Sequence, residues 1–151
     1  SDRFCLISFG TATTVDFVGP NGTYSGGLIL PGVNLAADSL NQHTSNLPKI
    51  SFDIHTESIK RLELGLDTKS SIQTGVMASQ FGAIKEAIRV LESDGDKLKV
   101  SGFSVSGGAW GSVKPFFLDS FALSSSEIFT GFTPLSGFRS LLLNAKQIIL
   151  G

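Results

Sequence analysis

Residues 8–16 read Ser8-Phe9-Gly10-Thr11-Ala12-Thr13-Thr14-Val15-Asp16, and this stretch decides the fold. On its N-terminal side, residues 4–9 form an apolar run of strand length. On its C-terminal side, residues 14–18 (Thr-Val-Asp-Phe-Val) alternate as a half-buried strand does. Only Gly10 to Thr13 lies between them, which is room for a tight turn and nothing more. Pro20-Asn21-Gly22 marks a second turn, and residues 23–30 make a third strand. Three consecutive antiparallel strands are therefore expected to open the chain.

Helical spacing follows. Pro31 is placed for a first helical turn, and Val33, Ala36, Ala37 and Leu40 recur on one face. Residues 43–66 are irregular, punctuated by Pro48 and Gly65. Thr68 is the expected N-cap of a long helix reaching about residue 91, with the stripe Ile72, Val76, Ala83, Ala87 and Leu91. Asp94-Gly95-Asp96 ends it, and residues 98–105 read as a buried strand. Gly107-Gly108 is expected to open a short helix toward Lys114, before Pro115. A strand near 117–122 and a helix near 134–145 complete the pattern. The order β-β-β-α-α-β-α-β-α predicts an α/β fold with a ribonuclease-H-like layer: a mixed sheet with three antiparallel N-terminal strands and flanking helices, in one domain over residues 1–151.

Composition narrows the class. The 151 residues are 41% hydrophobic, enough for one core and short for two. Net charge is -1 with acids and bases scattered, so the basic stripe of a nucleic-acid surface is missing. No apolar segment reaches the roughly 18 residues of a membrane helix. Cys5 is the single cysteine, set in the apolar run Phe4-Cys5-Leu6-Ile7, and a buried free thiol fits the reducing cytoplasm. The chain begins at Ser1 rather than Met, from which an upstream piece is expected.

Three glycine-bearing segments carry the chemistry. In the turn at residues 10–14, a glycine and three hydroxyl residues expose backbone N–H groups and side-chain donors at one point, as an anion-binding nest does. An ordinary polar turn has the same composition. Gly26-Gly27 inside a strand indicates a bulge or a close backbone approach, and Pro31-Gly32 then opens a helix whose N-terminus can face an anion. Ser106-Gly107-Gly108-Ala109 follows a strand and lets a planar ligand lie against bare backbone, though a plain strand-to-helix turn looks the same.

In their order and spacing these segments resemble the type III pantothenate kinases. The resemblance rests on Gly10-Thr-Ala-Thr-Thr, Gly26-Gly-Leu-Ile-Leu-Pro-Gly32, Thr44-Ser-Asn-Leu-Pro48, Gly65-Leu-Asp-Thr68 followed by Gly75, and Ser106-Gly-Gly108, and it spans nearly the whole chain. It implies the C-terminal half of an actin-like, two-domain kinase that phosphorylates pantothenate from ATP, the first step of coenzyme A synthesis. It also implies Mg2+ and a monovalent cation (K+ or NH4+) as cofactors, and a homodimer, expected to be built partly on the helix 69–91. By the same resemblance Gly10, Thr11 and Thr13 form a phosphate loop, and Gly107 and Gly108 meet the nucleoside of ATP. Thr68 and Gly27 lie near pantothenate, and His43 and Thr44 fall in a segment that reaches a partner's substrate. A lone histidine in a polar loop is equally a solvated side chain.

Three departures accompany the matches. Ser8 stands where the family carries an aspartate that holds cations at the phosphates, so cation binding there is in doubt. The family's first domain, with its Asp-x-Gly-Asn-Thr phosphate loop, is expected outside this chain. The family's Gly-x-Asp-Arg motif, bearing the base, has only the echo Ser1-Asp2-Arg3, set too near the phosphate loop, and Asp16 matches a family position without supplying that base. Three functions stay open on these residues: half of a pantothenate kinase that needs its other domain; a non-catalytic nucleotide-binding or regulatory accessory factor on the same scaffold; and half of another actin-like ATPase or sugar kinase.

Overall fold

The computed structural model describes residues 3–44, 46–52, 61–93 and 99–130. Among these described residues five strands, β1 (Arg3–Phe9), β2 (Ala12–Val18), β3 (Tyr24–Pro31), β4 (Val100–Ser106) and β5 (Ile128–Thr130), form one sheet in the order β3-β2-β1-β4-β5. Strands β1, β2 and β3 are antiparallel, whereas β4 joins β1 and β5 joins β4 in parallel. Helices α1 (Val33–His43) and α2 (Thr68–Ser93) link β3 to β4, and α3 (Trp110–Phe121) links β4 to β5. This is the mixed α/β layer that the sequence predicts.

Alternation builds the core. Cys5, Ile7 and Phe9 of β1 and Thr13, Val15 and Phe17 of β2 are buried, and the residues between them are only half-buried. Against that buried face pack Val33 and Ala37 of α1, Ile72, Val76, Met77, Phe81 and Ile84 of α2, and Val113 and Phe117 of α3. Phe117 is fully buried and meets the rings of Phe9, Phe81, Phe103, Trp110 and Phe121.

The expected bulge is present. Asp16 faces Gly27 while Val18 faces Tyr24, so β3 carries an extra residue in that interval, and Gly26 takes a φ of +106°.

Four expectations are corrected. Pro31 is the last residue of β3, not part of a helix; β3 is an edge strand, where a missing N–H costs no ladder bond. Gly32 is the N-cap of α1. Thr68 is the first helical residue of α2 and Asp67 does the capping, its Oδ1 accepting from the Ser70 N–H at 2.8 Å. Residues 117–122 do not form a strand: α3 continues through Pro115 to Phe121, because Val113, Phe117 and Phe121 fall on one helical face packed into the core. The strand expected there is β5. The helix expected at 134–145 lies outside the described residues.

Candidate functional site

Three loops meet at the C-terminal end of β1. The β1–β2 turn is only Gly10-Thr11, since β2 resumes at Ala12, and the Gly10 N–H donates to the Ala12 carbonyl at 3.1 Å. The β3–α1 junction comes against it, with the Gly32 N–H donating to the Thr11 carbonyl at 2.9 Å. The β4–α3 junction closes from the other side, with the Ala109 N–H donating to the Phe9 carbonyl at 3.0 Å.

Glycine is what permits this convergence. A Cβ on Gly32 would stand 2.2 Å from the Gly10 carbonyl oxygen, and one on Gly107, whose φ is +104°, would stand 2.3 Å from that of Phe9. Gly108 differs, because a Cβ there would meet nothing within 4 Å. Thr11, Ser106, Gly107 and Gly108 are all exposed, so backbone from two loops lines one open rim. Gly10, Thr11, Gly107 and Gly108 are thus brought together at the end of β1.

Thr13 is placed differently. It points to the helix-covered face, wholly buried, and its hydroxyl does not reach the rim. Ser8 lies on the other face, directly across from Thr14 on β2 and Ser106 on β4. Asp16 is a carboxylate on that same face. It sits opposite Leu6, diagonal to Ser8, and accepts a hydrogen bond from the Tyr24 hydroxyl at 3.3 Å. Burial pushes its carboxyl above the usual range, against the opposing pull of that hydrogen bond. Gly27 faces Asp16, and a Cβ there would stand 2.3 Å from the Val15 carbonyl oxygen, so strand packing by itself requires a glycine.

Thr68 is not at the rim. It lines an open groove of about 840 Å³ between α1 and α2, with Ala36, Leu40, Leu47, Ile72 and Ser79. The groove nevertheless approaches the glycine loops at one end. Ala36 is one turn from the α1 N-cap, its N–H donating to the Gly32 carbonyl at 2.8 Å, and Ser79 precedes Gln80, whose amide touches Pro31. Thr68 stands twelve residues earlier on α2 than Gln80, roughly 18 Å along the helix. His43 is exposed at the end of α1, and Thr44 beside it hydrogen-bonds the Leu40 carbonyl. Among the described residues no group of three His, Cys, Asp or Glu side chains is placed to hold a metal ion, and no helix is long and apolar enough to cross a membrane.

Sequence reasoning missed Gln80, a buried amide whose position on an apolar helix face gives no signal until its partner, 49 residues away, is known.

A family model described as type III pantothenate kinase matches residues 1–90. The type III pantothenate kinase 1 of Francisella tularensis subsp. holarctica (strain OSU18) is 42% identical over 94 residues, covering 62% of this chain and 35% of the relative. The type III pantothenate kinase of Legionella pneumophila (strain Corby) is 41% identical over 103 residues, covering 66% and 38%. The chain thus spans about a third of the length of these curated relatives. Among solved structures, an archaeal actin homolog aligns at a TM-score of 0.46 and 13% identity over 99% of this chain and 49% of that one.

Proposed function

The chain belongs to the type III pantothenate kinase family, and from that premise we propose that it is the ATP- and pantothenate-binding C-terminal half of such a kinase, an actin-like domain that phosphorylates pantothenate once a first domain closes over it. The observation that carries this reading is the convergence of the Gly10-Thr11 turn, Gly32 and Gly107-Gly108 at the end of β1. The phosphates of ATP would lie against the peptides of Gly10 and Thr11, where oriented N–H groups favour negative charge. The nucleoside would lie against Gly107 and Gly108, where the absence of a Cβ at Gly108 leaves room for a flat ring. Pantothenate would occupy the groove between α1 and α2, which leads from Ala36 and Ser79 near the turn to Thr68. Pairing of two chains through α2 would bring His43 and Thr44 toward a partner's substrate, and the whole would work in the cytoplasm.

Mg2+ and the monovalent cation do not fit the donors this chain offers at the turn. Ser8 and its neighbours across the sheet, Thr14 and Ser106, supply neutral hydroxyls, and Asp16 is diagonal to Ser8 and engaged by Tyr24. Magnesium is held through carboxylates and phosphate oxygens. What the chain supplies is positioning: fixed peptide dipoles for the phosphates and a groove that lays the acceptor beside them, and phosphoryl transfer depends mostly on such placement and charge stabilisation.

The same neutral donor set favours a second reading, a nucleotide-binding protein of regulatory type that turns nothing over. Pantothenate-dependent ADP formation separates the two. With the first domain supplied, turnover well above a control lacking pantothenate supports the kinase, and its absence from folded protein that binds ADP supports the second reading. Ser8→Asp then tests the cause: if the serine is what silences the site, restoring the carboxylate should raise activity by on the order of 10²-fold.

A further inference from the structure

A glutamine occupies a core position of α2. Gln80 is 2% exposed, on a helix whose other buried residues include Met77, Phe81 and Ile84. Burying an amide costs free energy unless both of its ends find partners. One end does: Nε2 donates to the Pro31 carbonyl oxygen at 2.9 Å. That oxygen belongs to the peptide joining Pro31 to Gly32, and the N–H of the same peptide donates to the Thr11 carbonyl at 2.9 Å. One peptide plane is therefore gripped from both sides, by α2 on its oxygen and by the β1–β2 turn on its nitrogen. Hydrogen bonds in series through a peptide polarise one another, so the helix and the turn are coupled through a rigid unit. Gly32 is packed so closely on Gly10 and Thr11 that the turn cannot shift without moving this peptide.

The other end of the amide has no such employment. Gln80 Oε1 is buried without a partner, and so is Thr13 Oγ1 beneath the same turn, one residue from Ala12, the register partner of Pro31. Packing alone does not call for an amide here, since a methionine would fill similar space and leave no orphan oxygen. The donor to Pro31 is what the position uses.

We propose that Gln80 is a positioning residue that fixes the orientation of the Gly10-Thr11 turn through the Pro31–Gly32 peptide. Its consequence for ligand binding rests on the reading of that turn as a phosphate site.

The test compares wild type with Gln80→Met in the full-length protein, reading the Gly32 amide by NMR shift and hydrogen exchange, and ADP affinity separately. The expected result is an upfield shift and faster exchange at Gly32, an unchanged Cys5 amide in mid-β1, and roughly three- to tenfold weaker ADP binding, the scale of one hydrogen bond. Gln80→Glu is the second variant. Its protonated carboxyl can still donate to Pro31, so the wild-type Gly32 shift should return at low pH and vanish as the group ionises. An unmoved Gly32 amide in Gln80→Met overturns the proposal whatever ADP does. Faster exchange spread equally over Cys5 overturns it too, as simple destabilisation. A Gly32 amide that responds while wild type binds no ADP supports the coupling and defeats the phosphate-site reading instead.

Discussion

Adjacent glycines should behave very differently on substitution by alanine. Gly107 has a φ of +104°, and a Cβ there would stand 2.3, 2.5 and 2.7 Å from the O, C and N atoms of Phe9. Gly107→Ala must hold a side chain in a backbone region that resists it, at about 1–3 kcal/mol, and also push β4–α3 away from the end of β1, a backbone overpacking that costs a further 1–3 kcal/mol or so. Together these come to about 3 kcal/mol, or roughly 6–12 °C of Tm for a chain of this size. Gly108→Ala meets nothing within 4 Å and should fall within about 0.5 kcal/mol of wild type. Thermal unfolding followed by circular dichroism and by the fluorescence of Trp110 makes the comparison. Trp110 is the sole tryptophan and stacks on Phe9 at 6.0 Å, so it reports on the junction itself. Equal Tm values for the two variants would refute the claim that Gly107 is required by contact with β1.

Other outcomes follow from the same structure. Phe117→Ala, which removes the ring at the centre of the aromatic cluster, should cost about 3–5 kcal/mol in denaturant unfolding. Cys5 is fully buried, and burial pushes its thiol well above the usual range, so a thiol reagent should label it only at the rate of unfolding; rapid labelling of folded protein would contradict the packing of β1. The Asp16 carboxyl is raised by burial, so the folded protein holds that proton more tightly than the unfolded chain does. The residue therefore lowers stability as pH rises past the ordinary carboxylate range. Asp16→Asn should be more stable than wild type near pH 7 and equal to it near about pH 3, which urea titrations at both values would check.

Much of the sheet was legible because period-2 alternation in residues 4–9 and 14–18 is a consequence of burying one face, and the burial in β1 and β2 follows it residue by residue. Helix ends were less legible. Asp67 and Thr68 are both capping residues, and only the hydrogen bond from Ser70 distinguishes them. Residues 117–122 misled for a physical reason. Pro115 and the run Phe116-Phe117-Leu118 have the signature of a break followed by a strand. The ring of Phe117 packs among five other aromatics, and that tertiary gain outweighs both local preferences. At the site, the pair Gly26-Gly27 announced a bulge or a close approach, and Gly27 makes the approach; Gly32 and Gly107 make close approaches that a helix start and a strand-to-helix turn did not announce. What the sequence could not convey was direction: Thr13 looked like a member of the turn, and it is a core residue of β2. Gln80 was invisible for the complementary reason, because its partner is a backbone carbonyl and carries no sequence signal.

The most direct test is a titration of ADP onto isotopically labelled protein, watched at the backbone amides. Saturable shifts are expected at Gly10, Thr11, Gly32, Gly107 and Gly108, with His43 unmoved. Saturable binding that leaves those five amides in place, or no binding by folded protein, would contradict the proposed site.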